Sequence, residues 1–269
     1  MPPRLSILLF GFFLLTTCDE GEIVTSDYKP ELNVYGFISF DNNKPSFVHV
    51  HRTLSLDENP NENSSYYVSG SDVIIIDSLG ISNLFSENEN TYNPFYGEPD
   101  GFVPQFDSDY TLKVNTQNGM SLMGALHTPP KPELVLYPDS IQSDSFFTIK
   151  WNVPENSIVY IEVESMDYYG CYIHKSEYFE SGETEWTTKI FSCIDNNYGY
   201  YGENPDSLSI NLTFMDINYY NYFVKNDKDE FLNFLMGMSG STQNAFGVEG
   251  GLGVFGSYAK DIVILPFDP

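Results

Sequence analysis

His49 and His51 stand two residues apart in the run 47–56, a spacing that puts both imidazoles on one face of an extended strand. Two imidazoles on one face can hold zinc once a third ligand arrives. The opposite face carries Val48, Val50, Leu54 and Leu56, so the pair is read first as the polar face of a half-buried strand. His127 and His174 are single, and neither a Cys-rich nor a His-Glu-x-x-His pattern occurs. Carboxylates gather at 57–62, at Asp107-Ser108-Asp109 and at Asp195-Asn196-Asn197. Such oxygen ligands suit calcium, but none has the spacing of an EF-hand loop, and solvated loops are the default. No residue is nominated as catalytic: the Gly-x-Ser-x-Gly frame is missing around Gly70-Ser71 and Gly240-Ser241. No cofactor or metal signature is present either. The glycines Gly247, Gly250, Gly251, Gly253 and Gly256 lack the lysine of a phosphate loop, and are read as permitting close backbone approach where a last strand closes a sheet.

Two further groups of side chains stand out. Cys171 and Cys193 flank the turn signal Ser181-Gly182-Glu183, with Gly182 midway between them. If 172–179 and 184–191 form a regular hairpin about Gly182, the two thiols face each other within disulfide reach. The expectation is a Cys171–Cys193 bridge, against two buried thiols or a slipped register. Without a Cys-x-x-Cys pair the bond would be structural. Tyrosines are dense at Tyr168, Tyr169, Tyr172, Tyr198, Tyr200, Tyr201, Tyr219, Tyr220 and Tyr222, several beside Gly or Asn. Tyr168, Tyr169, Tyr198, Tyr200 and Tyr201 form a candidate binding surface for sugar faces or protein. The plainer reading is rings that cap a sheet with their hydroxyls wet.

The elements that must position these groups are strands. The 269 residues hold 12 Lys plus Arg against 38 Asp plus Glu, a net charge of −26, and 16% are aromatic. That much apolar bulk supports a packed core, and that much negative charge disfavours nucleic acid as a partner. Alternation over 32–40, 47–56 and 110–114, with turn signals at Ser78-Leu79-Gly80 and Gln117-Asn118-Gly119, predicts short antiparallel strands. Pro129, Pro130 and Pro132 cannot sit inside a sheet, so a boundary is placed there. Two tandem β-sandwich domains of immunoglobulin or transthyretin-like type follow, over 31–128 and 132–269. One helix is expected over 227–238, where Phe231, Phe234, Leu235 and Met238 make an apolar stripe behind an Asp227–Glu230 capping box.

The N-terminus reads as an address. Arg4 precedes an apolar run over 5–15 of secretory length, and Leu15-Thr16-Thr17-Cys18 resembles a lipobox, with Thr17 where a smaller residue is usual. This implies a lipoprotein signal peptide over 1–17, lipidation of Cys18, and an acidic tether over 18–30 with Asp19-Glu20 after the cysteine, against an ordinary signal peptide with a chance cysteine nearby or an uncleaved anchor.

Taken in order, the lipobox and tether, Leu32-Asn33-Val34-Tyr35-Gly36, Val68-Ser69-Gly70-Ser71-Asp72-Val73, Asp77-Ser78-Leu79-Gly80, Tyr110-Thr111-Leu112-Lys113-Val114, Thr128-Pro129-Pro130 and Gly253-Val254-Phe255-Gly256-Ser257-Tyr258 resemble a family of uncharacterised Bacteroidetes-type outer-membrane lipoproteins. Its members bear a domain of unknown function of the 4249 type. The resemblance implies a surface-exposed, non-enzymatic protein of the cell envelope, held in the outer membrane by its lipid. It further implies a protein accessory to a TonB-dependent receptor or binding a nutrient. It transfers no catalytic residues. A glycan-directed envelope hydrolase and a structural or adhesive module are the alternatives.

Overall fold

The computed structural model describes residues 28–41, 44–54, 66–88, 94–153, 156–165, 172–180, 182–191, 205–225 and 245–268. Residues 31–269 form one compact unit, distinct from residues 1–30. Its strands are β1 (Leu32–Ser39), β2 (Phe47–Arg52), β3 (Asp72–Ile76), β4 (Ser82–Asn88), β5 (Phe95–Gly97), β6 (Asp109–Asn115), β7 (Ser121–His127), β8 (Leu134–Leu136) and β9 (Ile141–Gln142). There follow β10 (Phe146–Trp151), β11 (Ile158–Ser165), β12 (His174–Phe179), β13 (Glu185–Lys189), β14 (Ser207–Met215), β15 (Ala245–Phe246), β16 (Val248–Glu249) and β17 (Gly251–Asp268). Among the described residues the protein is all-β apart from one four-residue helix, α1 (Ile217–Tyr220), which runs into a π-helical turn, Asn221–Lys225.

In the first half, β1 pairs antiparallel with β2, and β2 with β5. β4 pairs with β5 through its last residues and with β3 through its first, so it bends the sheet back over itself. β3, β6 and β7 then cover the first layer, and β16 continues from β7. The alternation read from the sequence is seen directly: Val34, Val48, Val50, Val73, Ile75, Leu112 and Val114 are fully buried and fill the space between the layers. The β6–β7 hairpin turns through Gly119 as its turn residues demand.

The second half is a sandwich of three strands on four. β13, β10 and β8 form one sheet, and β12, β11, β14 and β17 pack against it. Ile149, Trp151, Trp186, Val159, Ile161, Val163, Ile210 and Phe214 make its core. This is the layering of immunoglobulin-like sandwiches.

Two features depart from the sequence reading. β12 pairs with β11 and β13 pairs with β10, in opposite sheets, so 172–179 and 184–191 are not a hairpin. Gly182, in a left-handed conformation, carries the chain across the core instead of folding it back. Trp186 and Ile190 anchor β13 in the core, whereas β12 is mostly exposed and closes a sheet edge. The hairpin on which the Cys171–Cys193 bridge was expected is therefore absent, and both cysteines lie outside the described residues. So do Cys18, the leader 1–17, nearly all of the tether and the expected helix 227–238.

The second departure concerns the last strand. The two cores divide near Thr128–Pro132, yet residues 248–258 join the first core. The first half of β17 runs parallel to β1, from Leu32↔Gly251 to Ser39↔Tyr258. Its second half pairs antiparallel with β14, from Met215↔Tyr258 to Ser207↔Pro266. One 18-residue strand is thus shared by both sandwiches. Gly253 is needed for this: its φ is +107°, and a Cβ there would overlap the carbonyl oxygen of Val34.

Candidate functional site: an aromatic slot on the outer sheet face

The outward face of β1 and β2 should be polar if it met only water. Instead it bears Tyr35 and Phe37 on β1, and Phe47, His49 and His51 on β2. The helical turn 217–225 lies across this face and adds Tyr219, Tyr222 and Phe223. Between turn and sheet is a cavity of about 260 Å³ lined by Tyr35, Phe37, Phe47, Tyr219, Phe223 and Tyr258, with Lys44 and Pro45 at one side. Phe37 is the hub: its ring centroid is 5.9 Å from Phe47, 5.8 Å from Tyr219 and 5.1 Å from Tyr258. Tyr219 continues to Phe223 at 4.8 Å, and Tyr222 reaches Tyr35 at 5.7 Å. Tilted and edge-on pairs at these separations are the favoured aromatic arrangements.

The wall formed by the helical turn is held in place from below. Asp216 is 3% exposed and caps α1 by accepting from the backbone N–H of Asn218 (2.8 Å) and Tyr219 (3.2 Å). Its other oxygen accepts from the N–H and, at 3.2 Å, the hydroxyl of Ser257 on β17. Asn218 donates through its side-chain amide to Phe255 O (3.0 Å) and Ala125 O (3.1 Å), which ties the turn to β17 and β7. Gly256 lets the turn sit so close: a Cβ there would be 3.1 Å from the backbone nitrogen of Tyr219. Burial pushes the Asp216 carboxyl up to about 6, against the four donors that favour its charge. Burial, then the neighbouring Tyr258, pushes the Tyr219 hydroxyl up to about 12, so it stays protonated.

His49 and His51 do share the outward face, with ring centroids 5.7 Å apart. His49 Nδ1 donates to Pro94 O at 2.9 Å. His51 is enclosed by Tyr35, Tyr66 and Tyr67, and its Nε2 is buried without a hydrogen-bond partner. Burial, then the neighbouring His49, lowers its pKa to about 4. Among the described residues no group of three His, Cys, Asp or Glu side chains could hold a metal. The imidazoles extend the aromatic face, with His49 packed against Phe47 at 5.1 Å and Phe95 at 6.0 Å.

The acidic turn 107–109 is partnered too. His127 Nδ1 lies 2.8 Å from Asp109 and Nε2 lies 3.1 Å from Asp107. The hydrogen bond to Asp109 is the largest influence raising its pKa, and the result is a cross-strand clamp at Asp109↔His127. On the outer face of the second sandwich, Asn211 donates to Glu162 (3.3 Å) and Glu164 (2.9 Å), and Tyr160 donates to Glu162 at 2.9 Å. Two carboxylates thus converge on one amide.

The tyrosines singled out as a binding surface, Tyr168, Tyr169, Tyr198, Tyr200 and Tyr201, lie outside the described residues. Of those at 219–222, Tyr219 lines the slot, Tyr222 packs on Tyr35 beside it, and Tyr220 packs on Tyr178 instead. Phe37, Phe47 and Phe223 belong to no motif in the sequence, and Tyr35 and Tyr258 stand out only as members of the stretches 32–36 and 253–258 that carry the resemblance. For Tyr35, Phe37 and Phe47 the signal is the alternation itself, which puts bulky aromatics at outward positions of β1 and β2 where polar residues are usual.

No curated protein matches the chain. A solved structure of a DUF4785 family protein from Legionella pneumophila matches at 12% identity, over 68% of this chain, with a TM-score of 0.27. The chain spans about half of that protein's length, 52%. A family described as a domain of unknown function, DUF4249, matches residues 19–262, essentially the whole body built around the slot, and the protein belongs to that family.

Proposed function

We propose that the protein is a non-enzymatic binding protein of the cell envelope, moored in the outer membrane by acyl chains on Cys18, and that it captures a small ligand in the aromatic slot. The capture serves nutrient uptake, alone or beside a TonB-dependent receptor. The observation that carries this reading is the slot: six rings, four on strands and two on a helical turn that Asp216, Asn218 and Gly256 seat against the sheet. Preorganised rings grip apolar surface at little entropic cost. The Tyr219 hydroxyl, held protonated, binds rather than abstracts protons. The lipobox-like Leu15-Thr16-Thr17-Cys18 supports the location.

The test uses the neutral fluorophore N-phenylnaphthylamine. It should bind one site and brighten, and Tyr219→Ala should abolish the signal while leaving the fold intact by circular dichroism. An unchanged titration in the variant would remove the slot as the site. For location, Cys18→Ser should move the protein out of the membrane fraction; unaltered partitioning would refute the anchor.

A second reading, a glycan-directed hydrolase, draws on the convergence of Glu162 and Glu164 at Asn211. Release of reducing ends from an envelope glycan, lost in Glu164→Gln, would favour it.

A further inference from the structure

The slot is apolar, but its surroundings are not neutral. The chain has only 12 Lys plus Arg against 38 Asp plus Glu. One of those few cationic residues lines the slot and a second packs on a ring of its wall. Lys44 lines one side of it. Lys260 follows Tyr258 on the same face of β17 and holds its ammonium 5.6 Å from the centroid of the Tyr258 ring, itself part of the wall. Neither forms an ion pair among the described residues, whereas Lys150 pairs with Glu185 and Lys189 with Asp144. Acids stand nearby, with Asp41 in the same turn as Lys44, Asp261 next to Lys260 in sequence and Asp216 capping the helical turn, but none of them pairs with either lysine among the described residues. In a body of net charge −26, two lysines without carboxylate partners beside one aromatic cavity offer an anion a local contact.

Resting on the slot as the binding site, we infer that its ligand is an amphipathic anion: a flat apolar ring system carrying one carboxylate, sulfonate or phosphate. The rings take the apolar body, whose burial supplies the affinity. The ammonium groups meet the acid group at the mouth and set the orientation. The cavity of about 260 Å³ suits a ligand of two or three fused or linked rings. The remaining charge of the protein repels anions, so any preference for one must come from Lys44 and Lys260 and must be short-ranged.

The experiment compares two probes with the same rings on the full chain: neutral N-phenylnaphthylamine and anilinonaphthalene sulfonate, titrated by fluorescence at low and high salt. Each exposed ammonium is worth roughly a threefold to fivefold gain for the anion at low salt. The sulfonate should therefore bind about tenfold more tightly than the neutral probe. High salt should erase most of that ratio. Lys44→Gln with Lys260→Gln should bring the ratio of the two affinities to one or below, whatever the loss of Lys44 from the wall does to N-phenylnaphthylamine alone. If the neutral probe binds and the sulfonate binds no better, or the ratio survives loss of both lysines, the anion inference is overturned and the slot stands. If neither probe responds to Tyr219→Ala, the slot itself is the error.

Discussion

Replacing Asp216 by Asn separates two opposing effects at the base of the slot. The carboxylate accepts four hydrogen bonds, which favour its charge, but it is 3% exposed, which opposes it. Burial prevails, and the pKa stands at about 6 against an ordinary 3.8. That gap corresponds to about 3 kcal/mol. Because the folded-state value is the higher one, the folded protein holds the proton where the unfolded chain has lost it. The associated stability is complete below the unfolded value and is lost as pH rises through about 6. Over the accessible interval from about pH 5 to pH 7 the loss amounts to about 1.3 kcal/mol. The carboxamide introduced by Asp216→Asn cannot titrate. It costs a constant amount, since its NH2 group must face a backbone N–H, but it adds no slope. Urea unfolding at several pH values, followed by the fluorescence of Trp151 and Trp186, gives both stabilities. The advantage of the wild type over Asp216→Asn should shrink by about 1.3 kcal/mol from pH 5 to pH 7. Parallel curves, or a wild-type advantage that grows toward pH 7, would mean that the four donors outweigh burial and that the carboxyl is charged in the folded protein.

Other perturbations read different parts of the molecule. Gly256→Ala places a Cβ 3.1 Å from the Tyr219 backbone and should cost about 1–3 kcal/mol in thermal unfolding and weaken N-phenylnaphthylamine binding; undiminished binding would contradict the close seating of the helical turn. His51, buried neutral with a pKa near 4 against its usual 6.5, takes its proton later than the unfolded chain does. Its contribution should therefore be lost as pH falls from about 6.5 through about 4, and His51→Gln should flatten that slope; no difference in slope counts against the effect of burial. Phe255 is fully buried in the first core although the last strand carries it, so Phe255→Ala should cost about 3–5 kcal/mol. A cost under about 1 kcal/mol would show that β17 is not integral to that core.

The strands were legible because each buries one face: Val48 and Val50 against His49 and His51, Val159, Ile161 and Val163 against Tyr160 and Glu162. Alternation is a local property, and so is the turn at Gln117-Asn118-Gly119. The choice of partner strand is not local. Gly182 with its flanking residues reads the same for a hairpin and for a crossing between sheets, and only the core position of Trp186 decides between them. The slot was half legible. Tyr219, Tyr220 and Tyr222 stand out as a tyrosine cluster, but their partners Tyr35, Phe37 and Tyr258 come from strands far away in sequence on either side. The parallel register of β1 with β17 brings them together. The glycines of the tail hint at close approach without saying to what; the answer, Val34 for Gly253 and Tyr219 for Gly256, needs the fold.

A strand common to both sandwiches also has a bearing on how the polypeptide matures. Leu32 opens the first layer, yet its parallel neighbour Gly251 is made only after β2 to β14. Until β17 has docked, β1 is left with an open edge and Phe255 is missing from the hydrophobic interior. The first layer therefore cannot close before that distant strand joins it, a contact of long sequence separation that is slow to form. A stop codon just ahead of Gly251 would leave the opening half without its neighbouring strand, although its own coding region was intact.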